Sequence, residues 1–227
     1  MKSFLVIPRL LCYIFILFGF GEAQVLEQEW TTAFSLEGEH GIAKNTLLTT
    51  LPSMTKEWKV TFEVNPTDYG FRSYASVLHL TIGGKGTGSG AKVRDYFYKY
   101  TKHKYKYYSK VGDRIPGIWF HKSKGVLVST ALNGKASYNK FVKPLPPVAA
   151  WTRIEISQRM VSSQNTFSIT IGNQQVFTKP NTKPVELSDV KVFAGNPWSS
   201  SQKGSLRNLK IEIKTPIDCV PAGGMHL

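Results

Sequence analysis

The chain is 227 residues long and carries 29 Lys/Arg against 15 Asp/Glu, a formal net charge of +14. That length suits one domain with one hydrophobic core, and the basic balance points to an anionic partner. Cys12 and Cys219 are the two cysteines, so a multiply disulfide-stapled scaffold is excluded.

At the N-terminus, Lys2 and Arg9 precede the apolar run Leu10–Phe20, and Gly21-Glu22-Ala23 supplies small residues before Gln24. A charged segment, a short apolar segment and an A-x-A-like site form the pattern of a secretory signal peptide. The run falls short of the roughly 20 apolar residues a membrane span needs. The expected protein is secreted and extracellular, with no membrane span. Removing residues 1–23 takes Lys2, Arg9 and Glu22, leaving 27 basic against 14 acidic residues, or +13. It also removes Cys12, so Cys219 would be the sole cysteine of the mature chain. A lone cysteine in an oxidising compartment predicts a free thiol or an intermolecular bridge, such as a disulfide-linked homodimer.

Residues 24–45 are mixed in pattern, with Trp30 and Phe34 as anchors. In Glu57–Val64, Trp58, Val60, Phe62 and Val64 alternate with Lys59, Thr61 and Glu63, the period of a strand with one buried face. Tyr74–Ile82 is apolar enough to be covered on both faces. Ile115–His121, Gly125–Leu132 and Lys135–Val142 follow, the last two joined by Asn133-Gly134, a strong hairpin signal. Trp151–Arg159 reads as a strand in which Trp151, Ile154 and Ile156 share a face after one irregular step. Thr166–Ile171 and Gln175–Thr178 flank Gly172-Asn173. Ser188–Ala194 and Leu206–Lys214 close a series of about eleven strands with no helix. The expected fold is all-β, an antiparallel two-sheet sandwich in one domain. It divides into a signal peptide (1–23), an N-terminal segment (24–45), the sandwich (46–214) with a Gly/Tyr/Lys-rich insertion at 83–114, and a tail (215–227).

A Trp-initiated strand, a short hairpin, the D-V-K-V-F-A strand, the G-N-P-W loop and the G-S-L-R-N-L-K-I strand follow one another from Trp151 onward. This order resembles the C-terminal half of the concanavalin A-like jelly-roll superfamily, especially its laminin-G-like modules, over roughly Leu47–Lys214. The resemblance implies two antiparallel sheets of six or seven strands, serving adhesion or glycan binding, with polysaccharide cleavage in some members.

The most biased stretch is Asp95–Tyr108, which holds six of the ten tyrosines, four lysines and His103. From Lys92 to Lys110, seven Lys/Arg stand against Asp95, a balance of +6. The candidate binding residues for a polyanion or glycan are Lys92, Arg94, Tyr98, Lys99, Tyr100, Lys102, His103, Lys104, Tyr105, Lys106 and Lys110. Ammonium groups would pair with sulfate or carboxylate groups, while tyrosine faces pack on sugar rings. Two other readings stand beside this one: a lysine-protected edge strand, and a structural matrix protein that self-associates through its tyrosines and Cys219. Trp198 is a second candidate for sugar stacking. The expected partner is an acidic polysaccharide or anionic matrix component, with no physiological nucleic acid.

Glycoside cleavage needs two carboxylates held across the scissile bond. Glu63, Glu155 and Glu212 are isolated on polar strand faces, so no catalytic residue is expected and the chain reads as a non-enzymatic module. The five histidines lack metal-ligand spacing. For calcium, Asp68 and Asp113 are the one pair near turns, without a ligand cluster around them. No metal or cofactor is expected.

Overall fold

A computed structural model describes residues 29–69, 74–83, 110–198 and 200–215. The described chain is all-β. Its twelve strands are β1 (Trp30–Gly41), β2 (Thr46–Met54), β3 (Trp58–Pro66), β4 (Ala75–Thr81), β5 (Gly117–His121), β6 (Gly125–Leu132), β7 (Lys135–Val142), β8 (Thr152–Val161), β9 (Gln164–Ile171), β10 (Gln174–Pro180), β11 (Leu187–Ala194) and β12 (Gly204–Lys214). They form two six-stranded sheets, one ordered β1-β12-β3-β8-β9-β10 and the other β2-β11-β4-β5-β6-β7. Every ladder is antiparallel, and the whole is a two-sheet jelly-roll sandwich. Among the described residues no helix is long and apolar enough to cross a membrane.

The alternation in β3 does what its period requires. Trp58, Val60, Phe62 and Val64 enter the core, while Lys59, Thr61 and Glu63 stay half-buried on the outer face. Val60 and Phe62 register with Ile156 and Ile154 of β8, and Phe62, Phe120 and Phe167 are the bulkiest fully buried side chains. Each such aromatic contributes on the order of 1.5–3 kcal/mol by leaving water. In the other sheet, all seven residues of β4 are buried, so this strand is covered on both faces.

Tight turns fix the hairpin registers. Asn133 (φ 52°) and Gly134 (φ 76°) carry the left-handed pair that joins β6 to β7, a geometry matching strand twist. Ser162 (φ 47°) and Ser163 (φ 66°) make the same kind of turn between β8 and β9 without a glycine. At Gly204 (φ +139°) a Cβ would stand 2.2 Å from the Asn65 carbonyl oxygen, so only glycine lets β12 start against the end of β3.

The structure corrects the sequence reading in three places. The sandwich begins before residue 46, because β1 pairs with β12 along Trp30–Gly41. Register shifts at Thr32/Phe34 and Leu36/Glu39 break its alternation. Phe34 packs against the core as expected, but Trp30 is 36% exposed with the Lys59 ammonium 5.4 Å from its ring centroid. Trp151 takes no irregular step to join Ile154 and Ile156; it precedes β8 on the outer face, under the Arg207 guanidinium at 4.2 Å.

The central place of Phe62 gives a direct test. Phe62→Ala should cost about 3–5 kcal/mol of unfolding free energy, read from the urea midpoint. A loss below about 1 kcal/mol would contradict the core described here.

Candidate ligand-binding face

The insertion leaves and rejoins the sandwich at one point. Thr81 ends β4, and the Ile82 N–H donates to the Gly112 carbonyl at 3.0 Å. The Thr81 hydroxyl donates to that same carbonyl at 3.2 Å and accepts from the Gly83 N–H at 2.9 Å. Across the neck, the Lys110 N–H donates to the Asp113 carboxylate at 2.8 Å, and the Asp113 N–H returns to the Lys110 carbonyl at 3.1 Å. Gly112 turns there with φ +97°, where a side chain would meet Ile82. Lys110 is exposed at this neck. Lys92, Arg94, Tyr98, Lys99, Tyr100, Lys102, His103, Lys104, Tyr105 and Lys106 lie outside the described residues, as do Cys219 and the expected signal peptide.

Beneath the neck, on the outer face of the second sheet, lies a cluster the sequence did not announce. His79 of β4 is buried between two tryptophans, Trp119 of β5 at 5.3 Å (86°) and Trp198 at 5.2 Å (89°), both edge to face. Its Nε2–H donates to the Asp113 carbonyl at 2.8 Å, and its Nδ1 accepts from the Asn196 amide at 3.2 Å. The Asn196 side-chain oxygen in turn accepts from the Trp198 backbone N–H at 2.7 Å. Arg114 lies 5.3 Å over the Trp119 ring and donates to the Ser137 hydroxyl at 2.7 Å. Trp198 is thus half-buried, perpendicular to His79, and its indole N–H is buried without a hydrogen-bond partner.

Burial pulls His79 down to about 4 from an ordinary 6.5, against the pull of the Asp113 carbonyl and with help from the Arg114 charge. The imidazole is neutral at physiological pH and shielded from solvent, so it serves the scaffold and not proton transfer.

The outer face of the first sheet is a ladder of ion pairs. Glu212 receives Lys59 at 2.7 Å and Lys210 at 2.8 Å, Glu63 receives Arg207 at 2.6 Å, and Glu155 receives Arg153 at 2.9 Å. A shallow groove of about 390 Å³ runs over Thr61 between these side chains. Burial pushes the Glu212 carboxyl up, and hydrogen bonds from Lys210 and Lys59 outweigh it, holding the group below the usual range. A carboxylate so held is a poor proton donor, the opposite of the raised carboxyl that glycoside cleavage uses. Among the described residues no three His, Cys, Asp or Glu gather to hold a metal ion. Asp68 pairs with Lys203 at 3.0 Å, and its carbonyl accepts from Gln202, which is tied to Ser76 at the start of β4. Asp113 sits at the other end of that strand.

No protein-family model matches the chain, and no curated protein matches it in sequence. Among solved structures it is similar to the heptameric SAP-like pentraxin of Limulus polyphemus, with 13% identity over 78% of this chain and 73% of that one at a TM-score of 0.44. It is also similar to the CBM40 domain of the Ruminococcus gnavus IT-sialidase, with 9% identity over 82% and 95% of the chains at 0.49. Mouse laminin alpha1 domains LG4-5 give 15% identity over 83% of this chain and 42% of that one at 0.42. The architecture stated above rests on this chain's own strand pairing.

The neutral state of His79 has a measurable cost at low pH. The unfolded chain binds a proton at His79 below about 6.5 and the folded chain below about 4. Stability is therefore complete above 6.5 and falls as the pH drops towards 4, by on the order of 3 kcal/mol. Urea unfolding at neutral and acidic pH should show this loss in the wild type and a much smaller one in His79→Gln. Equal pH dependence in both would exclude His79 as its source.

Proposed function

We propose that the protein is a secreted, non-enzymatic binding module that holds acidic glycans or other anionic extracellular material through residues 92–110. The observation that carries this reading is the concentration of charge: +6 of the chain's +14 lies in those residues, interleaved with tyrosines. The neck supports it from the described side. Gly83 and Lys110 are tied to β4 by Thr81, Gly112 and Asp113, so both ends of the insertion are carried by a rigid sheet. The reading invokes no metal or cofactor.

Each exposed charge contact contributes on the order of 0–1 kcal/mol. Affinity would come from many of them together and would decline as salt screens them. On an immobilised heparin column, a variant with Lys99, Lys102, Lys104 and Lys106 replaced by Ala should elute at a clearly lower salt concentration than the wild type. Elution at the wild-type position overturns the assignment to this tract.

A further inference from the structure

Charge is segregated within the sandwich itself. Residues 114–185 hold ten Lys/Arg and one acid, Glu155, a balance of +9. Residues 92–110 add +6, and the remainder, twelve Lys/Arg against thirteen Asp/Glu, comes to −1. The fold then collects much of the +9 on one side. β7 and β10 are the last strands of their sheets, and they meet where Tyr138 stacks on Phe177 (6.3 Å, 22°). Lys140 lies 4.4 Å over Phe177, Lys179 lies 5.8 Å over Tyr138, and Lys124 lies 5.4 Å over Phe141. Lys183 rests beside Gly134 at one end, and Lys143 beside Gly125 at the other. With Lys135 these lysines lie in a stripe along and beside β7, over roughly 26 Å from Lys135 to Lys143 at about 3.3 Å per residue, Lys140 on the face of the strand that carries Tyr138 and Lys135 on the other.

None of them pairs with a described acid, whereas Lys59, Arg153, Lys203, Arg207, Lys210 and Lys214 all do. Protection of an edge from sheet-to-sheet pairing would account for edge lysines. The other two edges argue otherwise: β1 and β2 contain no lysine at all. Nor does edge protection explain the lysines outside strands at 124, 143 and 183, or the missing carboxylates. The stripe is also held in place. Asn133 at the β6–β7 turn donates its side-chain amide to the Pro180 carbonyl at 3.0 Å and accepts from the Thr182 N–H at 2.6 Å, joining the two edges.

We propose that this β7/β10 edge is a docking surface for a linear acidic polysaccharide, distinct from residues 92–110. Ammonium groups spread along one edge strand, with no carboxylate among them, match a flexible chain of sulfates or carboxylates. The ring faces beneath the ammonium groups are already covered. Bases stacking from a single-stranded nucleic acid need such faces open, and a membrane surface needs apolar side chains free to insert. At one end of the stripe, Tyr74 is 39% exposed and packs on His121 and Phe141. The proposal extends the glycan reading to a second surface, and the two stand or fall separately.

The test uses the full chain and a heparin oligosaccharide as probe, with binding measured at two ionic strengths. Lys135, Lys140, Lys179 and Lys183 replaced together by Gln should weaken binding about tenfold, because four individually weak attractions disappear together, and should flatten the salt dependence. Replacement of the exposed Lys124, Lys135, Lys143 and Lys183 instead gives the same readout should the first variant fail to fold. Unchanged affinity in a folded stripe variant overturns the proposal. If only the variant lacking Lys99, Lys102, Lys104 and Lys106 loses affinity, the stripe is excluded and the tract remains. If only the stripe variant loses affinity, the stripe stands and the tract is excluded. A DNA duplex, or vesicles of phosphatidylserine, bound more tightly than heparin through the same lysines would overturn the polysaccharide as occupant.

Discussion

β4 is buried on both faces along its whole length, so the second sheet must be roofed on its outer side as well as filled on its inner side. The core meets the inner demand with Leu78 and Leu80. The outer demand falls on Trp119, Trp198 and the loops around Asp113 and Asn196, which close over His79. A buried polar side chain is tolerated when its hydrogen bonds are made, and both nitrogens of His79 are used. The neck of the insertion is part of this roof: Gly112 and Asp113 satisfy Thr81, Ile82 and His79 while returning the chain to β5. The positions of Gly83 and Lys110, on either side of residues 84–109, are thereby set by the needs of one central strand.

The two outer surfaces solve the problem of charge differently. On the first sheet, Glu63, Glu155 and Glu212 each face a cation across or along a strand, and Trp30 and Trp151 hold Lys59 and Arg207 at the margins. On that face most of the charge is cancelled, Lys59 and Lys210 sharing Glu212. The β7/β10 edge has cations over rings and no acids, so attraction to aromatic faces offsets only part of the mutual repulsion. A surface left in that state is stabilised by whatever anion settles on it.

Local features of this architecture were legible in the sequence because they depend on near neighbours. The strict alternation of Trp58 to Val64 gave β3 its buried face, the apolar run from Tyr74 marked a doubly covered strand, and Asn133-Gly134 marked a hairpin. β1 was hidden because two register shifts interrupt its period. Trp151 needed an irregular step to share a face with Ile154 and Ile156, and without that step its odd-numbered position aligns it with Arg153 and Glu155. The Ser162-Ser163 turn lacks the glycine that usually signals its geometry. The roof over β4 was illegible for a different reason: His79 lies 34 residues from Asp113 and 117 from Asn196, and nothing in sequence spacing announces such pairings. The stripe was missed likewise, since Lys140 and Lys179 become neighbours only when the edges of two sheets meet.

Among the described residues, the largely paired face and the bare cationic edge make the distribution of charge uneven. In the field of an anionic scaffold the molecule would turn before it touches, bringing β7 and β10 forward and leaving the paired face of β12, β3 and β8 trailing. Such pre-orientation acts on the rate of encounter more than on the strength of the final complex, and it fades as ions fill the medium. On the proposed reading, the lopsided placement of carboxylates would govern how the domain arrives at an anionic target, apart from how firmly it stays.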